Sequence, residues 1–275
     1  MPQYPPHVGW LVKTGELLHA SDGRDIEVWE LAYQNDEHAM SAWARHFRSH
    51  YCCDADIDGA RRGYGFSRAE YLERIKFPDA RVAPGPSVRA GDFGEILVAD
   101  YLEYLLRYWV PRTRYCDKSS RNESTRGCDT VGFKMDNWSQ WTPQDELVVY
   151  ESKSKFTPGD SSDNYLQNAV NDSGKDEVRL AESLNAVKRR LEHDGGGAVQ
   201  VNAVERFQSI EDRPYRERYG AAAILDTSLT YSSDVLSRTD TTRHPKRQSL
   251  YLLVIRGNEM MALANDLYRR AADEA

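Results

Sequence analysis

The sequence predicts a mixed α/β protein, a β-sheet flanked by helices. Three observations lead there. Residues 89–109 have strong helical periodicity, short apolar runs read as three strands after them, and a long helical stretch then leads to further strands and a closing helix. That order, helix, strands, helix, strand, is the pattern of an α/β layer structure. The 275 residues are 40% hydrophobic and 29% charged, enough apolar material for a sizeable core.

In order along the chain, residues 14–34 hold two short apolar runs (Leu17, Leu18, then Ile26, Val28, Leu31) around a Ser21-Asp22-Gly23-Arg24 turn. Residues 37–50 read as a helix, with Met40, Trp43, Ala44 and Phe47 at spacings of three and four. A short helix over 67–75 opens on Ser67 with Glu70 three residues on, the signature of a capping box. The proline-rich stretch 77–86 interrupts regular helix and is taken as a boundary. Residues 1–85 are then an N-terminal α/β accessory region, suited to docking a partner, and 86–275 the catalytic domain. Within the latter, 112–118, 128–135 and 147–156 read as strands, and 164–193 as helix broken near Ser173-Gly174. Residues 195–197 form a loop, 221–229 and 250–255 further strands, and 258–271 the closing helix. Residues 232–247 read as polar loop.

A net charge of −7 excludes a uniformly basic nucleic-acid coat, so any DNA contact must rest on a local patch. No apolar run is long enough for a transmembrane helix, and the N-terminus has no signal-peptide pattern. Four cysteines in this length make no disulfide framework, so a reducing cytoplasm is expected. Asp54 begins a sequence like an EF-hand loop, but its twelfth position is Gly65. His46, His50, Cys52 and Cys53 lack a second pair at zinc-finger spacing. No phosphate-binding glycine loop or nucleophile elbow is present.

The chemistry concentrates at the third expected strand. Side chains alternate between faces along a strand, so Leu147, Val149, Glu151, Lys153 and Lys155 share one face, with Glu151 and Lys153 about 7 Å apart at the backbone. Phosphodiester hydrolysis suits such a pair. A divalent metal on carboxylates activates water, and a lysine orients that water or offsets developing charge. Hard Mg²⁺, with Mn²⁺ as a substitute, needs only one or two carboxylates beside its waters. Asp129, at the start of a neighbouring strand, supplies a second acid. Glu95 supplies a third: on a helical wheel it leaves the polar arc of Asp92, Asp100, Glu103 and Arg107 and falls between Leu102 and Leu106. A charge on an apolar arc is costly unless paired or metal-bound.

The series Gly91-Asp92-Phe93-Gly94-Glu95, Gly127-Cys128-Asp129-Thr130-Val131-Gly132-Phe133 and Glu151-Ser152-Lys153 resembles the PD-(D/E)XK nuclease superfamily. More closely it is similar to the HamA family, the nuclease subunit of the Hachiman anti-phage defence system. Ser67-Arg68-Ala69-Glu70-Tyr71-Leu72 and Phe77-Pro78-Asp79 extend the resemblance over most of the chain. Cys128-Asp129 stands where the superfamily has Pro-Asp. The resemblance implies a PD-(D/E)XK-type mixed sheet and a DNA-degrading effector held and activated by a HamB-like helicase. Catalytic residues would be Glu95, Asp129, Glu151 and Lys153. The metal would sit on Asp129, Glu151 and the Ser152 backbone carbonyl, with Glu95 direct or through water, and Lys153 would position the attacking water.

DNA contacts are expected from Arg114, Lys118, Arg121, Arg126 and Lys134, with Lys155 and Lys175 extending the patch. Tyr165 and Gln167 are candidates behind the metal ligands, although an exposed helix face explains them as well. Two rivals share the fold: a stand-alone restriction- or repair-type nuclease, and a binding module without catalysis.

Overall fold

The computed structural model describes residues 4–116, 118, 120–123, 127–160, 162–193, 195 and 197–275. Its elements, in chain order, begin with β1 (Leu11–Lys13), β2 (Leu18–His19), β3 (Asp25–Leu31), α1 (Glu37–Ser49), α2 (Ile57–Arg61), α3 (Arg68–Tyr71) and α4 (Gly85–Asp100). There follow β4 (Thr130–Lys134), β5 (Glu146–Lys155), α5 (Tyr165–Ser173), α6 (Asp176–His193), α7 (Ala198–Arg206) and β6 (Arg216–Asp226). The chain closes with α8 (Ser233–Leu236), β7 (Leu250–Gly257) and α9 (Met260–Asp273). The expected mixed α/β sheet flanked by helices is present. Its strand order is β1-β3-β7-β6-β5-β4, with β2 paired to β3. Strands β3, β7, β6 and β5 run parallel to one another, whereas β1 and β2 pair antiparallel with β3 and β4 antiparallel with β5.

Alternation along β5 divides the interior into two layers. Val148 and Tyr150 join a core built with α1, α4 and α9 (Trp43, Phe47, Phe93, Leu97, Leu267). Leu147 and Val149 face the other way, into a core with α5, α6 and α7 (Leu166, Leu184, Val204). The first 85 residues take part in both: β3 pairs with β7, with Ile26 and Val28 in the second core, and α1 packs on α9, where Phe47 meets Tyr268 edge-on at 4.8 Å. Asp36 caps α1 by accepting the Ala39 N–H, and the Ser67–Glu70 capping box forms in both directions.

Four expectations are corrected. The strand expected over 112–118 is absent among its described residues: turns at 114–116 replace the extended backbone, because Arg112, Arg114 and Lys118 all turn toward acids of α4. The helix expected over 89–109 begins at Gly85 and gives way to one wide turn, Tyr101–Leu105. Pro86 is tolerated in its first turn, where no N–H is required, and Arg107, with φ 66°, ends the helical path. The helix expected over 67–75 is a single α-turn followed by a wide turn, Leu72–Lys76. Within the stretch read as loop, Ser232 caps the one-turn α8.

Candidate metal centre

Asp129 and Glu151 come together through register. Thr130 lies opposite Tyr150, so one step back Asp129, just before β4 begins, lies beside Glu151 of β5. The chain enters β4 through Gly127, whose φ of 92° other residues rarely adopt. A side chain there would also strike Ser183, whose hydroxyl accepts the Cys128 N–H at 2.9 Å. Asp129 is fixed at both oxygens: Oδ2 accepts the Ser152 N–H at 3.0 Å and Oδ1 accepts Arg114 Nη2 at 2.8 Å.

Glu151 is only 4% exposed. Its Oε1 accepts Lys153 Nζ at 2.7 Å, while its buried Oε2 has no hydrogen-bond partner. Lys153 also pairs with Asp172 Oδ2 at 2.7 Å, so α5 steers the ammonium toward the strand end. Burial, reinforced by the Asp129 charge, pushes the Glu151 carboxyl up to about 8 against the pull of Lys153. Burial alone would lower the Lys153 ammonium, but its bonds to Asp172 and Glu151 outweigh this and raise it.

Glu95 sits on α4, behind the opposite face of β5. Gly94 brings the helix close enough that a side chain there would collide with Ser154 and Ile224. Glu95 Oε2 accepts Arg114 Nε at 2.8 Å and the Tyr115 hydroxyl at 2.6 Å. One guanidinium therefore bridges Glu95 to Asp129 and also donates to the Cys128 carbonyl. Burial pushes Glu95 up to about 7, opposed by Arg114 and reinforced by Asp129. A cavity of about 410 Å³ opens between α4 and α6, lined by Glu95, Arg114, Tyr115, Asp129 and Arg190; Glu151 and Lys153 do not line it.

Residues 112–116 and 118 form a strap along α4. Arg112 donates to Asp100 at 2.8 Å and to Glu103, Arg114 to Glu95, and Lys118 to Asp92. The polar arc of α4 is thus covered. Asp100 is fully buried, with His46 and His7 at 2.8 and 2.9 Å, and Asp92 also accepts the Tyr51 hydroxyl at 2.7 Å. These bonds hold the Asp100 carboxyl well below the usual range despite its burial.

Of the residues expected to touch DNA, Arg114 and Lys118 turn inward as described. Arg121 pairs with Asp79 at 2.6 Å, Lys134 donates to the Leu106 carbonyl at 3.3 Å, and Lys175 pairs with Asp172 at 2.5 Å. Lys155, at the end of β5, is half-buried, and Arg126 lies outside the described residues. Tyr165 and Gln167 bond locally, to Asp163 and to Asn171 with the Asp240 carbonyl.

Asp176 escaped the sequence reading. It is the first residue of α6 and 0% exposed, yet neither carboxylate oxygen has a hydrogen-bond partner. Arg179 stands 3.7 Å away. Burial, with Asp129 adding to it, pushes this carboxyl up to about 7, and Asp176 in turn raises Glu151. The only sequence signal was an acid just after the Ser173-Gly174 break, which a helix dipole explains without function. Among the described residues, one group of three possible ligands has atoms all within 4.8 Å: His7, His46 and Asp100, where Arg112 already supplies the positive charge.

Fold and site define an α/β protein with a carboxylate-rich centre, served by one lysine, where an antiparallel edge strand leaves a mixed sheet. The HamA family model matches residues 6–271, and the chain belongs to the HamA family. Membership makes it a Hachiman defence-associated protein, which implies a partner protein. No curated protein matches the chain. No described helix is long and apolar enough to cross a membrane.

Proposed function

We propose that this chain is the metal-dependent nuclease effector of its defence system, hydrolysing DNA phosphodiester bonds in the cytoplasm under the control of a HamB-like helicase. The observation that carries this reading is Glu151: a buried carboxylate opposite Asp129, bonded to Lys153 through one oxygen and unpartnered at the other. A sheet protein with no use for such a group would do better with an apolar side chain there. This also weighs against the non-catalytic module.

The donor set is all oxygen, as a hard divalent ion requires, and the orphaned Glu151 oxygen is a ready ligand. Asp129, Glu151 and the Ser152 carbonyl would hold Mg²⁺ or Mn²⁺. Such an ion, when bound, supplies a Lewis acid for the phosphoryl group and a hydroxide near neutral pH. Lys153 holds the attacking water on the Glu151 side and offsets charge on the phosphate. Glu95 acts through Arg114, whose guanidinium fixes the rotamer of Asp129. Residues 1–85 would form the docking region for the partner and 86–275 the nuclease domain. Lys155, Lys175, Arg121 and Lys134 lie toward solvent or only half-buried and remain candidates for phosphate contact.

The test is cleavage of plasmid and linear DNA with Mg²⁺, alone and with the partner helicase, comparing wild type with Glu151→Ala and Lys153→Ala. Each substitution should cost roughly 10²–10⁴-fold. Cleavage undiminished in both variants overturns the assignment. Co-purification without any helicase would favour the stand-alone nuclease.

A further inference from the structure

We infer that Asp176, at the start of α6, is a further ligand of the divalent ion held by Asp129 and Glu151, directly or through a metal-bound water. This rests on the reading of the Asp129–Glu151 pair as a metal centre. The acid first expected to complete that centre, Glu95, bonds Arg114 and Tyr115 and is carried by α4, which packs on the Val148–Tyr150 face of β5. Asp176 differs on both counts. It begins the helix that covers the Leu147–Val149 face of β5, the face from which Glu151 projects, and its backbone carbonyl lies 3.9 Å from the sulfur of Cys128, the residue before Asp129.

Its isolation is the second observation. A fully buried carboxylate whose two oxygens accept no hydrogen bond is an expensive arrangement, and Arg179 at 3.7 Å is a loose companion on a half-exposed side chain. Glu151 Oε2 is orphaned in the same way. Three unpartnered, buried acceptor oxygens on two neighbouring acids form an environment that a divalent cation satisfies and an empty protein does not. Elsewhere in the molecule, buried Asp92 and Asp100 are matched by donors, so lone acids are not a general habit of this fold.

The oxygens of Asp129, Glu151 and Asp176 do not all come within 4.8 Å of one another. An ion shared by all three therefore keeps water between itself and at least one of them, which Mg²⁺ and Mn²⁺ readily do.

The experiment is Mn²⁺ titration of the full chain at pH 7.5, followed by loss of the free-ion EPR signal, for wild type, Glu151→Gln and Asp176→Asn. Wild type should bind, Glu151→Gln should lose binding, and Asp176→Asn should bind at least about 10-fold more weakly. The metal-free Asp176→Asn protein should melt no lower than wild type, because the substitution removes an uncompensated charge. If wild type binds no Mn²⁺, the metal-centre reading itself fails and this inference with it. If Glu151→Gln loses binding while Asp176→Asn keeps wild-type affinity, only the role of Asp176 is overturned. A second measurement needs no variant. Fe²⁺ with ascorbate should cut the wild-type backbone beside Asp129 and Glu151 and also at residues 174–177. Cuts at the strands without one at the start of α6 likewise overturn the assignment.

Discussion

Two acidic regions of this molecule lie close together and are built on opposite rules. Along α4 and the wide turn that follows it, Asp92, Glu95, Asp100 and Glu103 are met by Lys118, Arg114 and Arg112 from the strap, with Tyr51, Tyr115, His7 and His46 adding donors. Within β5 and at the start of α6, Glu151 and Asp176 share little more than Lys153 and a distant Arg179, and three of their oxygens are bare. Both regions are buried, so solvent explains neither. The first is a finished structural network. The second leaves buried acceptor oxygens without donors. Arg114 joins them, since it bonds an acid of each.

If the contrast is right, cation removal should be severe on the paired side. Arg114→Met leaves Glu95 and Asp129 facing each other and should cost about 3–5 kcal/mol in urea unfolding. Lys118→Met should cost about 1–3 kcal/mol, because Asp92 keeps the Tyr51 hydroxyl.

The unpaired side should respond to pH instead. Glu151 and Asp176 have folded-state values raised to about 8 and about 7. The folded chain therefore holds protons that the unfolded chain releases. Stability without metal should fall by several kcal/mol as pH rises from about 4, where the unfolded acids begin to ionise, to about 8. Saturating Mn²⁺, which needs the deprotonated acids, should reverse that slope. Thermal melts across this range check both signs.

Asp176→Asn should raise metal-free stability by about 1 kcal/mol, roughly 2–4 °C in melting temperature, and flatten the pH dependence. Smallest of all, Arg121→Ala breaks a partly exposed pair with Asp79 and should cost less than about 1 kcal/mol.

How much could be read in advance follows the same division. The pairing of Asp129 with Glu151, and the side shared by Glu151 and Lys153, were legible because a strand has a period of two and turns its side chains in strict alternation. The core face of α1 was legible for a similar reason, from the three- and four-residue spacing of Met40, Trp43, Ala44 and Phe47. The strap was not. Arg112, Arg114 and Lys118 read locally as a basic patch on a strand, and only the packed structure reveals that acids of α4 lie beside them in matching order. For the same reason Asp92 and Asp100 looked like a solvated arc although both are buried. Asp176 was invisible because an acid in the first turn of a helix has an ordinary explanation; what distinguishes it is the absence of partners, which is a property of the fold.

The most direct measurement of the central contrast is the position of a divalent ion in the folded chain, from anomalous diffraction of Mn²⁺-soaked crystals. A peak among Asp129, Glu151 and Asp176, with Arg114 still bridging Glu95 and Asp129, is the expected result. A peak at Glu95 with the Arg114 guanidinium displaced, or no peak beside Glu151, would contradict it.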